Sequence, residues 1–411
     1  MLKAASKIKI LENGGLTSPK GYRAAGVAAG VKNGNRTKKD VAILVSDVPA
    51  AAAGVYTTNA VQAAPVLVTK QSLAKKGQLQ AVVVNSGNAN ACTGEQGLLD
   101  AQAMQALTAE SLHIDKELVG VASTGVIGVL LPMDRIEAGI AEAMRQLSGQ
   151  GGGNFAEAIM TTDLVKKETA VQVTINGQPV TIGGVAKGSG MIHPNMATML
   201  AFLTTDAAVE QAALQDLLRQ VTNRTFNRIT VDGDTSTNDM VLALANGMAG
   251  SDTLTPAHAE WPIFAEAFEA VALHLAKAIA RDGEGATRLI VAEVTGARTE
   301  QDAEKVAKTI VGSSLVKTAV FGADANWGRL MMAVGRSGAY VDPSRVGIWI
   351  GDVQVAANGM GLLFDEAAAT RELEKDPVVF KVNLQVGEAE ATAYGCDLTY
   401  EYVKINGSYR T

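Results

Sequence analysis

The segment that most restricts how this chain can fold lies at residues 187–202, KGSGMIHPNMATMLAF. Two glycines, Gly188 and Gly190, open it, and glycine adopts backbone conformations closed to other residues, so the segment can bend sharply. It ends in an apolar run that reads as a buried strand. Between the two stands Ala197-Thr198, a small residue followed by a hydroxyl. A threonine hydroxyl is a weak nucleophile until a base takes its proton. A cut between Ala197 and Thr198 would put that base on the same residue. The freed α-amine has an ordinary pKa of about 7.7–8.0, against about 10.4 for a lysine, which is close to what a general base needs at neutral pH. The hydroxyl of Thr198 could make the cut itself by attacking the carbonyl of Ala197. The competing reading is a plain turn into a buried strand, with Thr198 an ordinary strand residue.

The rest of the chain bounds the fold class. Its 411 residues suffice for two or three domains and a large core. It is 47% hydrophobic but only 4% aromatic, so that core must be built from Ala, Val, Leu and Ile. The net charge of −6 is mild, and no block of Lys or Arg marks a nucleic-acid surface. No apolar run reaches the ~18 residues of a membrane span, and the first residues lack the apolar stretch of a signal peptide. Cys92 and Cys396 lie far apart and form neither a CxxC pair nor a disulfide framework, so the cytosol is the expected compartment. The four histidines show no ligand spacing, and no metal site is expected.

Along the chain, residues 41–45, 81–84 and 119–122 read as buried strands. Residues 85–90 (NSGNAN) read as a polar loop, and 97–112 and 133–147 as helices. The run SGQGGGN at 148–154 predicts a flexible surface loop or subdomain joint. Residues 171–174 and 180–182 predict a hairpin about Asn176-Gly177. Asp206 is placed to cap a helix running to about residue 222. A longer helix covers 261–280, with strands at 289–294, 315–321, 378–386 and 389–393. This mixture of hairpins and helices predicts an α+β or layered α/β fold, not a pure βαβ array.

Other residues can carry chemistry. Ser123-Thr124-Gly125 closes a strand with small residues, and such an end can aim a hydroxyl and a backbone N–H at one spot to hold an oxyanion; it can equally be a strand-to-loop turn. Lys187 can neutralise a substrate carboxylate, or be an exposed loop lysine; the spacing of a phosphate-binding loop is missing. Glu284, between two glycines past a helix, can receive an ammonium, or be a solvated loop acid. The acidic run 232–239 (DGDTSTND) departs from a calcium loop at its sixth and twelfth positions and reads as a hydrogen-bonded structural loop. His193 is read as a polar turn residue, with assistance to the cut as the alternative.

The motif KGSGMIHPNMATML resembles the self-cleavage motif of the ornithine acetyltransferase (glutamate N-acetyltransferase) family. Further segments resemble the family in the same order: residues 40–57 with Asn59 and Ala64-Pro65-Val66, VNSGNANACTG, STGVIG, Thr161-Thr162-Asp163, ITVDGDTSTND, ARDGEGAT, KTAVFGADANWGR and residues 395–411. The resemblance spans essentially the whole chain. It implies the DmpA/ornithine acetyltransferase-like fold, with stacked sheets flanked by helices and an N-terminal threonine nucleophile. It implies a cut into an α chain, 1–197, and a β chain, 198–411, two of each forming a heterotetramer. It implies Thr198 as nucleophile, Thr124 and Gly125 as oxyanion hole, and substrate contacts from the Thr161-Thr162 pair, Lys187, Thr198, Glu284, Asn406 and Thr411. The activity implied is acetyl transfer from N2-acetyl-L-ornithine to L-glutamate in arginine biosynthesis. No cofactor is implied; acetyl-CoA is a second donor in some members. The alternative is a threonine-nucleophile amidohydrolase or aminopeptidase of related fold.

Overall fold

Short runs of Ala, Val, Ile and Leu become strands whose alternate residues face different cores. The computed structural model describes residues 8–32, 34–193 and 199–408. Its first sheet holds β1 (Lys9–Ile10), β2 (Tyr22–Val27), β3 (Val41–Tyr56), β4 (Gln78–Asn88), β5 (Val119–Val126), β6 (Lys167–Ile175), β7 (Gln178–Lys187), β8 (Leu200–Thr205) and β9 (Met240–Ala245). The order is β1-β6-β7-β8-β9-β3-β4-β5, with β2 also on β3. The long β3 changes partners midway: its first part pairs with β2 and its last part with β9. Its register to β4 shifts between Val45 and Ala50, where Pro49 stands.

That shift lets the sheet fold over itself. Ala42, Leu44, Val82, Val84, Leu200, Phe202, Leu242 and Leu244 meet in one core between the two halves. Their chain neighbours point the other way, as the two-residue period of a strand requires. Val41, Ile43, Ala81 and Val83 pack with Met104 and Ile136, which belong to α2 (Gly94–Leu112) and α3 (Met133–Arg145); α1 (Ala64–Lys76) lies on the same side. Ala201, Leu203, Val241 and Ala243 pack with Leu214 and Phe268, which belong to α5 (Gln211–Arg224) and α6 (Trp261–Arg281); a short α4 (Gly152–Ala158) precedes both. The layers are therefore helix, sheet, sheet, helix. Phe155 of α4 meets Phe202 edge-on at 5.3 Å in the middle of the sandwich. Sinking such a side chain contributes about 1.5–3 kcal/mol. A one-residue slip of β8 would turn Phe202 away from this core.

The second sheet follows α6. It comprises β10 (Leu289–Ala297), β11 (Gly347–Ile350), β12 (Val353–Ala357), β13 (Met360–Gly361), β14 (Val378–Asn383) and β15 (Ala389–Cys396), in the order β13-β12-β11-β14-β10-β15. One face packs on α7 (Glu300–Val311), α8 (Ser314–Phe321) and α9 (Trp327–Gly335). From the other, Val291, Tyr394 and Cys396 join the core around α6. Two further helices are α10 (Glu366–Leu373) and α11 (Tyr400–Ser408). Among the described residues no helix is long and apolar enough to cross a membrane.

The hairpin β6–β7 forms as expected, with Asn176 and Gly177 at positive φ, 49° and 74°, the signature of a tight two-residue turn. Four expectations are corrected. Residues 148–154 are no flexible loop: Ser148 exchanges backbone hydrogen bonds with Ala24, and 152–154 begin α4. A Cβ on Gly151 would lie 1.7 Å from the carbonyl oxygen of Ala24, so this glycine serves close packing, not mobility. Residues 315–321 are helical, not a strand: Ser313 caps α8 by accepting from Val316 N, and Val316 and Val320 share one buried face. Asp206 is not an N-cap. Glu210 holds that position, while the Asp206 carboxylate accepts from Thr181 N (2.8 Å) and Lys20 N (3.0 Å). Residues 85–88 are not loop but the end of β4, paired in parallel with β5.

Candidate active site

One cavity of about 440 Å³ collects residues from widely separated segments of the chain. β5 delivers Thr124 and Gly125, the loop after α4 delivers Thr161 and Thr162, and β7 ends at Lys187. Gly190 and Met191 follow, Glu284 comes from the turn after α6, and Tyr402 and Asn406 come from α11. The loop at 232–239 closes the remaining side.

The end of β5 is shaped by its neighbour. Gly87 and Asn88 break the β4–β5 register opposite Thr124 and Gly125. Gly125 has φ +134°, and a Cβ there would lie 2.3 Å from the carbonyl carbon of Gly87, so only glycine lets the two strands close up. The asparagines of NSGNAN hold the bulge. Asn85 Oδ1 accepts from Ser123 Oγ, Asn85 Nδ2 donates to Asn88 O (2.8 Å), and Asn88 Nδ2 donates to the carbonyls of Val129 and Leu130.

Lys187 is buried and donates to Thr161 Oγ1 (2.8 Å) and Thr124 Oγ1 (3.3 Å). It thus links the predicted oxyanion threonine to the first member of the threonine pair. Burial pushes its ammonium below the usual lysine range, and the Asp163 carboxylate pulls it back up. Burial alone would raise Asp163, but Lys187, Lys167 and the Gly188 N–H outweigh it and hold the carboxyl at about 2. Behind the cavity lies a buried charge triad. Lys167 Nζ donates to Asp163 Oδ1 (2.7 Å) and Asp282 Oδ2 (2.6 Å), with all three side chains at 6% exposure or less. Asp163 also takes the N–H groups of Gly188 (2.7 Å) and Thr161 (3.1 Å), and so sets the positions of the lysine loop and the threonine pair together.

Opposite Lys187 stands Glu284, 6% exposed, accepting from Asn406 Nδ2 at 2.7 Å. Its backbone N–H donates to Ser189 O (3.0 Å), and Ser189 Oγ donates to Asp282 O (2.7 Å). A Cβ on Gly190 would lie 2.4–2.5 Å from the Glu284 carboxyl, so the glycine admits that group. The site thus presents a cation and an anion across one small space, an arrangement suited to a zwitterionic amino acid.

The 232–239 loop is the hydrogen-bonded framework expected of it. Asp232 accepts from Met191 N (2.7 Å), Ile192 N (2.8 Å) and Tyr402 Oη (3.2 Å). Asn238 Nδ2 donates to Ala89 O (2.5 Å) and Ser123 O (2.9 Å). Among the described residues no group of three His, Cys, Asp or Glu is placed to hold a metal ion. His193 Nδ1 lies 3.0 Å from Thr230 Oγ1.

Of the residues expected at the site, Thr124, Gly125, Thr161, Thr162, Lys187, Glu284 and Asn406 all line this one cavity. Ala197, Thr198 and Thr411 lie outside the described residues. Asp163, Lys167, Asp282, Asn238 and Asp239 were given no individual role by sequence reasoning. For Lys167 a signal exists: in KETAVQVTI it shares the strand face of Val171 and Val173, which points a lysine inward.

A four-layered α/β fold carrying a polar, amino-acid-sized site with a hydroxyl pair, a buried lysine and a facing carboxylate suits an enzyme of small-molecule substrates. The chain belongs to the ArgJ family, which it matches over residues 23–411. It is 62% identical to the arginine biosynthesis bifunctional protein ArgJ of Symbiobacterium thermophilum, over 97% of this chain and 99% of that protein. It is 53% identical to the protein of the same name from Halalkalibacterium halodurans, over the whole of both. The crystal structure of the arginine biosynthesis bifunctional protein ArgJ from Bacillus halodurans matches with a TM-score of 0.51 at 54% identity, covering 52% of this chain and 100% of that chain.

Proposed function

We propose that this protein cuts itself between Ala197 and Thr198 and moves an acetyl group from N2-acetyl-L-ornithine to L-glutamate through an acetyl-Thr198 ester, as a step of arginine biosynthesis. The observation that carries the reading is the convergence of Thr124, Gly125, Thr161, Lys187, Glu284 and Asn406 on one cavity. Thr198 attacks the acetyl carbonyl, with its own α-amine as base. Thr124 and Gly125 hold the oxygen on which charge develops. Lys187 receives the α-carboxylate that both substrates carry, and Glu284, steadied by Asn406, receives an ammonium. Ornithine leaves, glutamate enters, and its amine takes the acetyl group.

The coverage of the crystallised relative supports the cut: its matched chain is spanned whole by 52% of this one, and residues 198–411 make up that same share. The relatives' description as bifunctional supports acetyl-CoA as a second acetyl donor. The same reading makes residues 1–197 and 198–411 the two pieces of an α2β2 assembly in the cytosol, with Thr411 reaching substrate. The test is mass spectrometry of the purified chain with an acetyl-transfer assay. The expected result is a new N-terminus at Thr198, an uncut Thr198→Ala variant, parallel double-reciprocal lines in the two substrates, and little free acetate. An uncut, fully active wild-type chain would overturn it.

A further inference from the structure

Asp239 is a buried acid of the cavity that the reading above leaves without a task. It is 2% exposed and lines the cavity together with Thr124, Gly125, Lys187 and Met199, the residue that follows Thr198. Its place is fixed from both sides. Asn238 ties it to the carbonyl of Ser123 at 2.9 Å, and Met240 N donates to Met199 O at 2.9 Å where β9 begins beside β8. Its Oδ2 is buried with no hydrogen-bond partner among the described residues. Asp232 is engaged by Met191, Ile192 and Tyr402, and Glu284 by Asn406, while Asp234 is exposed at the cavity wall; Asp163, behind the cavity, is held by Lys167, Gly188 and Thr161.

An ionised carboxylate with one oxygen unpaired in such a place is costly, whereas a neutral acid carries an O–H able to donate to whatever enters. Burial drives the Asp239 carboxyl well above the ordinary carboxylate range, against the pull of Ser236, Lys187 and the Met199 N–H. Acetyl transfer from an amide needs such a donor, because an amine cannot depart without gaining a proton.

We propose that Asp239 is the general acid that protonates the departing amine. This rests on the acetyl-Thr198 reading. In the first half-reaction the Thr198 Oγ–C bond forms and the amide N–C bond breaks. The hydroxyl proton passes to the α-amine of Thr198, and the Asp239 proton passes to the leaving nitrogen. The site then holds an ammonium and a carboxylate, with no change in its net charge. In the second half the incoming amine forms its bond to the acetyl carbon and loses a proton to Asp239, while the α-amine returns its proton to Thr198 Oγ.

The test is Asp239→Asn in the full chain, assayed with two acetyl donors. N-Acetylornithine releases an amine that must be protonated; 4-nitrophenyl acetate releases a phenolate that need not be. The expected result is a chain cut as in wild type, acetylation of Thr198 from N-acetylornithine slowed about 10²–10⁴-fold, acetylation from the nitrophenyl ester within a few-fold of wild type, and partial recovery of the amide reaction in Asp239→Glu. Equal loss with both donors, or no loss with either, would overturn the proposal. So would an Asp239→Asn chain left uncut while wild type is cut, since the acid would then serve the cut. An uncut wild-type chain would instead strike at the acetyl-Thr198 reading itself.

Discussion

Replacing Asp163 by Asn should be the most damaging isosteric change outside the reacting groups. Its carboxylate takes Lys167 Nζ and Gly188 N on one oxygen, both at 2.7 Å, and Thr161 N on the other at 3.1 Å. An amide can accept at only one of these positions and sets N–H against N–H at the other. It also leaves Lys167 with Asp282 as its remaining carboxylate and strips Lys187 of the negative charge that acts on it most strongly. Removing one partner of a buried ion pair costs about 3–5 kcal/mol. The pH dependence has a definite sign. The folded-state pKa of Asp163 is depressed from 3.8 to about 2, so its stabilisation is complete above the unfolded value and fades as pH falls through the folded one. That difference is worth about 2 kcal/mol at pH 7, of which about 1 kcal/mol is gone by pH 3. Urea unfolding of wild type and Asp163→Asn at pH 7 and pH 3 measures both quantities. A gap under 1 kcal/mol at pH 7, or one that does not narrow by pH 3, would refute the account of the triad.

Three more outcomes follow from the same contacts. Gly190→Ala, whose Cβ would press on the Glu284 carboxyl, should raise KM for glutamate about tenfold, ~1.4 kcal/mol, with a smaller effect on kcat; unchanged steady-state kinetics would contradict the packing. Gly125→Ala cannot keep φ +134° or its approach to Gly87, and kcat/KM should fall about 10²-fold, the scale of losing one oxyanion donor. Asn238→Ala leaves the carbonyls of Ala89 and Ser123 without their donor, at about 1–3 kcal/mol each; urea midpoints check it, and a wild-type midpoint would count against it.

The central strands were legible because a short, continuous, β-branched run is what a strand buried on both faces requires. Residues 41–45, 81–84 and 119–122 needed nothing more. Residues 315–321 were not, because a short apolar run fits a strand or a buried helix equally, and the cap at Ser313 was the deciding signal. The glycines of 148–154 misled because glycine admits mobility and close packing equally, and only the opposing Ala24 carbonyl separates them. For residues 400–408 the sequence suggested no element, since helix α11 buries none of its residues and so writes no apolar stripe. At the site, Thr124, Lys187 and Glu284 announced themselves through glycine-rich surroundings. Asp163, Lys167 and Asp282 did not, since Asp163 and Lys167, four residues apart, meet Asp282 only once β6 and α6 are packed together.

The strand order β7-β8-β9-β3 has a further consequence. If the chain is cut before Thr198, β8 and β9 belong to the C-terminal piece yet lie between β7 and β3 of the N-terminal piece. Neither piece can leave without opening a ladder on each side and the sandwich core beneath. The nicked protein would hold together as firmly as the whole one, but its unfolding would become a dissociation. Its midpoint would then rise with protein concentration, and refolding would become a search between two molecules. Maturation of this kind would create a catalytic amine and, in the same step, make the fold hard to regain once lost.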